Sequence, residues 1–137
     1  MRIALDSNVM SALWSAEPAA SFASSRLDAV RHGNALLICA PVYAELLAHP
    51  RVSADFVEEC LQETGVAIEF EITEKVWREA GIRFARYANR RRRSSGGHPK
   101  RLLVDFLIGS HAMVRADRLL TFDRERYSRD FPELQLL

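Results

Sequence analysis

The stretch MRIALDSNVMSALW, residues 1–14, decides how the rest of the chain is read. Arg2-Ile3-Ala4-Leu5 predicts a short buried strand, and from Ser7 onward Val9, Met10, Leu13 and Trp14 recur at helical spacing. Asp6 stands at the junction. A carboxylate there is either the helix N-cap or a ligand in a site at the strand's carboxyl end. Its neighbours along the chain have to separate the two.

The same strand-then-helix unit recurs. Pro18 can open a second helix, with Phe22, Leu27 and Val30 on its buried side and Gly33-Asn34 as its stop. Ala35–Cys39 is a continuous apolar run, the pattern of a strand buried on both faces of a parallel sheet. Pro41 starts a helix with Val42, Tyr43, Leu46 and Leu47, ended by His49-Pro50. Another helix over 52–63 is stopped by Gly65, and Val66–Phe70 can form a strand. Thr73 caps a long helix with Val76, Trp77, Ala80, Phe84 and Tyr87 on one face, which dissolves into an arginine run. The loop 94–99 follows, then a helix of about 102–115, a strand Arg118–Thr121, a short helix near 124–130 and a closing strand Leu134–Leu136. Alternating strands and helices predict right-handed crossovers and a mainly parallel sheet covered on both faces. Such sheets bind ligands outside the carboxyl ends of their strands, which makes Asp6 a candidate.

Three other acids occupy comparable places. Glu45 lies in the first turns of PVYAELL, Asp105 in the first turn of RLLVDFLIGSHA, and Asp123 after Leu119-Leu120-Thr121. Each is flanked by residues that favour burial, whereas Glu58, Glu59, Glu63 and Glu125 sit in polar runs. Any one of them could simply cap a helix or complement its dipole. Four converging on one sheet edge need a cation to offset their repulsion. Carboxylates without His or Cys suit Mg²⁺ or Mn²⁺ rather than Zn²⁺, and the chemistry implied is phosphodiester hydrolysis. His32, His49, His98 and His111 read as surface residues, and Asp117 as a turn residue before the last strand. Gly109, one turn after Asp105, either opens a lane for a phosphate backbone or permits close helix packing.

The bulk numbers set limits. A chain of 137 residues with 48% hydrophobic residues fits one ordered domain over 1–137. The net charge of +1 hides an asymmetry: Arg90, Arg91, Arg92, Arg93, Lys100 and Arg101 leave the rest of the chain at −5. That segment is either a solvated charged loop or a surface that can neutralise nucleic-acid phosphates without reading sequence. Cys39 and Cys60 have no metal-finger spacing and read as small buried hydrophobes in a reducing compartment. No signal peptide and no membrane span is expected, so the expected location is the cytoplasm, with no membrane partner.

LDSNV at 5–9, Glu45 in PVYAELL, DFLIGSHA at 105–112 and LLTFDRERYSRDFPELQLL at 119–137 together resemble the PIN-domain ribonucleases, in particular the VapC-type toxins of bacterial toxin–antitoxin pairs. The resemblance covers nearly the whole chain. It implies an α/β fold, a three-layer α/β/α sandwich, that cleaves RNA, often dimerises and is blocked by a VapB-like antitoxin. It implies that Asp6, Glu45, Asp105 and Asp123 hold Mg²⁺ or Mn²⁺, with Asp6 and Asp105 nearest the metal. Asn8 and Thr121 match polar positions beside that cluster. Two other functions fit parts of the pattern. One is a binding module on the same fold with little or no catalysis, against which all four carboxylates speak. The other is aspartyl phosphotransfer, which would favour a second Asp at position 8 or an acidic pair after the first strand with a late Lys; Asn8 and the scarcity of lysine disfavour it.

Overall fold

A computed structural model describes residues 1–94 and 101–137. Its elements are β1 (Arg2–Leu5), α1 (Ser7–Leu13), α2 (Ala19–Arg31), β2 (Ala35–Cys39), α3 (Ala40–Leu47), α4 (Ala54–Thr64), β3 (Val66–Glu69), α5 (Glu74–Arg93), α6 (Leu103–Arg115), β4 (Arg118–Leu120) and α7 (Arg124–Ser128). The sheet runs β3-β2-β1-β4, and every pair is parallel. Ile3, Ala4 and Leu5 are all buried, as are Leu36 through Cys39, because helices cover both faces. The chain works outward from β1 through β2 to β3, then returns to place β4 on the other side of β1. Strand order therefore reverses at β1/β4, and an open α/β sheet offers a ligand crevice at that point.

Local chemistry sets most boundaries. Ser53 and Thr73 cap α4 and α5 by accepting from Phe56 N and Val76 N. Gly65, at φ 73°, turns the chain from α4 into β3 through the left-handed region. Helix α6 differs from the surface helices: every residue from Asp105 to Ala112 is buried. It lies against β1 and β4 on one side and α5 on another. A Cβ at Gly109 would stand 2.5 Å from the Phe131 ring, so close packing explains this glycine and leaves no lane for a phosphate backbone.

Several expectations change. The closing strand shrinks to one bridge, Leu119 to Leu136, with Leu119 N donating to Gln135 O and Leu137 N to Leu119 O, each at 2.9 Å. Helix α5 continues through Arg93 instead of dissolving. Phe22 and Trp77 are exposed, not buried. His111 is 1% exposed rather than a surface residue. Its Nε2 donates to Glu69 Oε2 at 2.8 Å, and Glu69 also binds Arg2 at 2.6 Å and Arg115 at 3.2 Å. Burial pushes the Glu69 carboxyl up, but the bonds from Arg115, His111 and Arg2 outweigh it and hold the group at about 2. Burial also lowers the His111 pKa, against the pull of Glu69. Burial pushes the Cys39 thiol up to about 12, so it is an inert core residue. Among the described residues no helix is long and apolar enough to cross a membrane.

Candidate functional site

Asp6 leaves β1 in extended conformation and its side chain accepts from Ser7 N at 2.8 Å, so Asp6 caps α1. Capping does not exhaust the carboxylate. Its Oδ2 accepts from Thr121 Oγ1 at 2.9 Å and from the Tyr127 hydroxyl at 3.0 Å. The residue is only 1% exposed. Burial raises its pKa, opposed by the bonds from Thr121, Tyr127 and Ser7 N and by the Arg126 charge. Three donors thus fix one carboxylate at the end of the central strand.

The same network reaches Asn8 and Asp123. Thr121 Oγ1 accepts from Asp123 N at 3.1 Å and from Asn8 Nδ2 at 3.3 Å, while Asn8 Oδ1 accepts from Phe122 N at 3.2 Å. Asn8 and Thr121 therefore stitch the start of α1 to the turn between β4 and α7, across the point where strand order reverses. Asp123 caps α7 by accepting from Arg126 N. Asp117 lies elsewhere: it accepts from Arg2 N at 2.7 Å at the opposite end of β1.

Glu45 and Asp105 approach from α3 and α6. Desolvation of the Glu45 carboxyl raises its pKa, the Asp6 and Asp105 charges add to the rise, and a hydrogen bond from the Ser7 side chain opposes it. Asp105 sits buried in the first turn of α6, where the helix dipole favours an anion. Arg126 ties the remaining acids together: its Nη1 lies 3.4 Å from Asp105 and its Nε 3.2 Å from Asp123. Asp105 and Asp123 thus share Arg126, and the Glu45 carboxyl feels the Asp6 and Asp105 charges. Among the described residues, though, no group of three or more His, Cys, Asp or Glu forms a ready metal shell. A guanidinium fills part of the space between two of the acids instead. The donors are oxygens throughout, so the set fits a hard divalent cation in chemistry.

Sequence reading missed Tyr127, Arg126 and the Ser7 hydroxyl. The only available signal for the first two was spacing, because both lie one turn after Asp123 on α7.

The arginine segment divides. Arg90 and Arg101 both pair with the buried carboxylate of Asp130, and Arg101 also lies 3.9 Å from Asp105. Arg91 is half-buried beside them, while Arg92 and Arg93 are exposed on the last turn of α5. Lys100, like His98, lies outside the described residues. Arg90, Arg91, Arg101, Arg126 and Arg129 line a cavity of about 320 Å³ with Tyr87 and Asp130.

The profile of the PIN domain family matches residues 3–132. Among curated proteins none matches the sequence. Two solved structures resemble the fold. One is VapBC-1 from nontypeable Haemophilus influenzae, with a TM-score of 0.68 and 20% identity over 100% of this chain and 97% of that one. The other is VapBC2 from Rickettsia felis, bound to a DNA fragment from their promoter, with a TM-score of 0.66 and 19% identity over 100% and 98%.

Proposed function

Because the chain belongs to the PIN domain family, we propose that it is a divalent-metal-dependent endoribonuclease, the toxin of a VapBC-like pair, neutralised by a VapB-like antitoxin. The observation that carries this reading is the placement of Asp6. A buried carboxylate at the end of the central strand accepts from Thr121, Tyr127 and Ser7, and shares its surroundings with Glu45 and Asp105. A cap alone requires one hydrogen bond to backbone. The other two hold the carboxylate in a fixed direction, as a ligand must be held.

PIN domains generally use divalent metal ions. Asp6 and Asp105 would hold Mg²⁺ or Mn²⁺, with Glu45 and Asp123 beside them. A bound ion there supplies an acidified water and offsets charge on the phosphate. The chain's own groups do the rest. Tyr127 and Thr121 hold Asp6 in one rotamer. Asn8 keeps the turn carrying Asp123 at fixed distance from α1. Arg126 stands where a phosphate oxygen can accept its hydrogen bonds once it leaves Asp105 or Asp123. The similarity to two VapBC structures supports the antitoxin partner, and a homodimer belongs to the same proposal.

The test is cleavage of RNA by purified protein with Mg²⁺ or Mn²⁺ and with EDTA. Cleavage should require the metal. Asp6→Asn and Asp105→Asn should each lose at least about 100-fold in rate while keeping a native circular dichroism spectrum. Undiminished cleavage in EDTA would remove the metal-dependent reading.

A further inference from the structure

Next to the acidic cluster is a second, smaller cavity of about 240 Å³, lined by Phe22, Arg26, Thr121, Phe122, Arg124 and Leu137. One wall is shared with the cluster: Thr121 is the residue whose hydroxyl donates to Asp6. The aromatic wall is a pair. The Phe22 ring, from α2, meets the Phe122 ring at a centroid distance of 5.2 Å and a tilt of 51°. Phe122 is anchored, because its backbone N–H donates to Asn8 and the next residue is Asp123. Phe22 is 57% exposed, although helical spacing predicts it on the buried side. Core packing therefore does not explain it.

The charges beside the rings narrow the occupant. Among the described residues neither Arg26 nor Arg124 has an ion-pair partner. An apolar peptide or a packed helix would gain from the rings and leave two cations idle. An acidic peptide would use the cations and leave the rings wet. An unpaired nucleotide uses both, since its base stacks on an aromatic face and its phosphates meet guanidinium groups.

We infer that the Phe22–Phe122 pair, flanked by Arg26 and Arg124, is a subsite for one unpaired base of single-stranded RNA, held next to the acidic cluster. The inference rests on the ribonuclease reading and adds to it what the substrate must present: a splayed base adjoining the cleaved phosphodiester. A duplex, whose bases are stacked on one another, cannot enter. Stacking accepts any base, so this subsite selects for strandedness before sequence.

The experiment titrates a short fluorescein-labelled single-stranded oligoribonucleotide into the protein in EDTA, so that it is bound and not cut. Phe22→Leu keeps apolar volume and removes the stacking face, whereas Phe22→Trp keeps a stacking face. Phe22→Leu should weaken binding by about 5–30-fold, the loss of one stacked base, and Phe22→Trp should bind within about twofold of wild type. The difference between wild type and Phe22→Leu should vanish on an oligonucleotide made of abasic ribose, and on a duplex. The two readings fail differently. If wild type binds and cleaves RNA and Phe22→Leu binds it equally well, the subsite is overturned and the ribonuclease stands. If wild type neither binds RNA nor cleaves it in Mg²⁺, both fall. If Phe22→Leu abolishes self-association of the protein but leaves RNA binding intact, the pair is a contact between copies and the subsite is overturned.

Discussion

Asp6 shows a single side chain serving fold and chemistry at once. It caps α1 and is also buried as a carboxylate whose pKa burial raises. A carboxyl group with a folded pKa above its unfolded value contributes stability below the unfolded value, and that contribution is lost as pH rises through the folded one. At neutral pH the ionised group is therefore a cost. Asp6→Asn removes that cost and keeps an oxygen for Ser7 N, but its amide nitrogen cannot accept from Thr121 and Tyr127, and each bond given up costs about 0.5–1.5 kcal/mol. The variant should melt within about 4 °C of wild type at pH 7. Its stability relative to wild type should fall as pH drops toward the ordinary carboxyl value of 3.8, where wild type takes up a proton and the variant does not. Thermal melts at the two ends of that range check the sign; a gap that does not change with pH would show that Asp6 is not strained. The four acids stand out in sequence because each interrupts an apolar run at an element junction. Thr121 is placed beside Asp6 by the family resemblance and does donate to it, whereas Tyr127 was not legible, because 121 residues separate it from Asp6 and only the folded sheet brings the two together.

Helix α6 carries the clearest lesson at the level of elements. Its start supplies Asp105, its middle supplies Gly109 and its last turns supply His111 and Arg115, so one helix spans the candidate site and a structural ion cluster. Apolar flanks revealed Asp105. They did not reveal that His111 is buried, since a helix covered on all sides has no polar face for a periodicity to find. Gly109→Ala would drive a methyl group into the Phe131 ring. It should cost about 1–3 kcal/mol and lower the melting temperature by about 3–12 °C, with Asp105 unaltered. An unchanged melting temperature would mean that Phe131 yields freely. Helix α5 was misjudged at its end for a related reason. Four consecutive arginines repel one another in isolation, but Arg90 has Asp130 to pair with. Positive charge near a helix C-terminus also complements its dipole.

For the molecule as a whole, the parallel α/β plan was readable from alternating strand and helix patterns. The strand order was not, since no local signal tells β4 to add beside β1 rather than beyond β3. Beside the apolar core, one link between distant elements is polar and sensitive to acid. Glu69 at the end of β3 binds Arg2 of β1 and both His111 and Arg115 of α6. Its folded pKa of about 2 lies below the ordinary 4.5, so the contribution is full above 4.5 and is lost as pH falls toward 2. His111, also lowered, adds a loss that begins below its ordinary 6.5. Melts of wild type and Glu69→Gln against pH should show wild type ahead at neutral pH and the gap closing between about 4.5 and 2; a constant gap would assign the cluster no electrostatic role. The bridge from Leu119 to Leu136 has its own consequence. With the outer rim of β4 hydrogen-bonded at Leu119 by the chain's own tail, a neighbouring strand cannot pair with Leu119 directly. Two copies zipped through β3 would meet at the rim farthest from β4, which leaves the crevice between β1 and β4 open in such a pair.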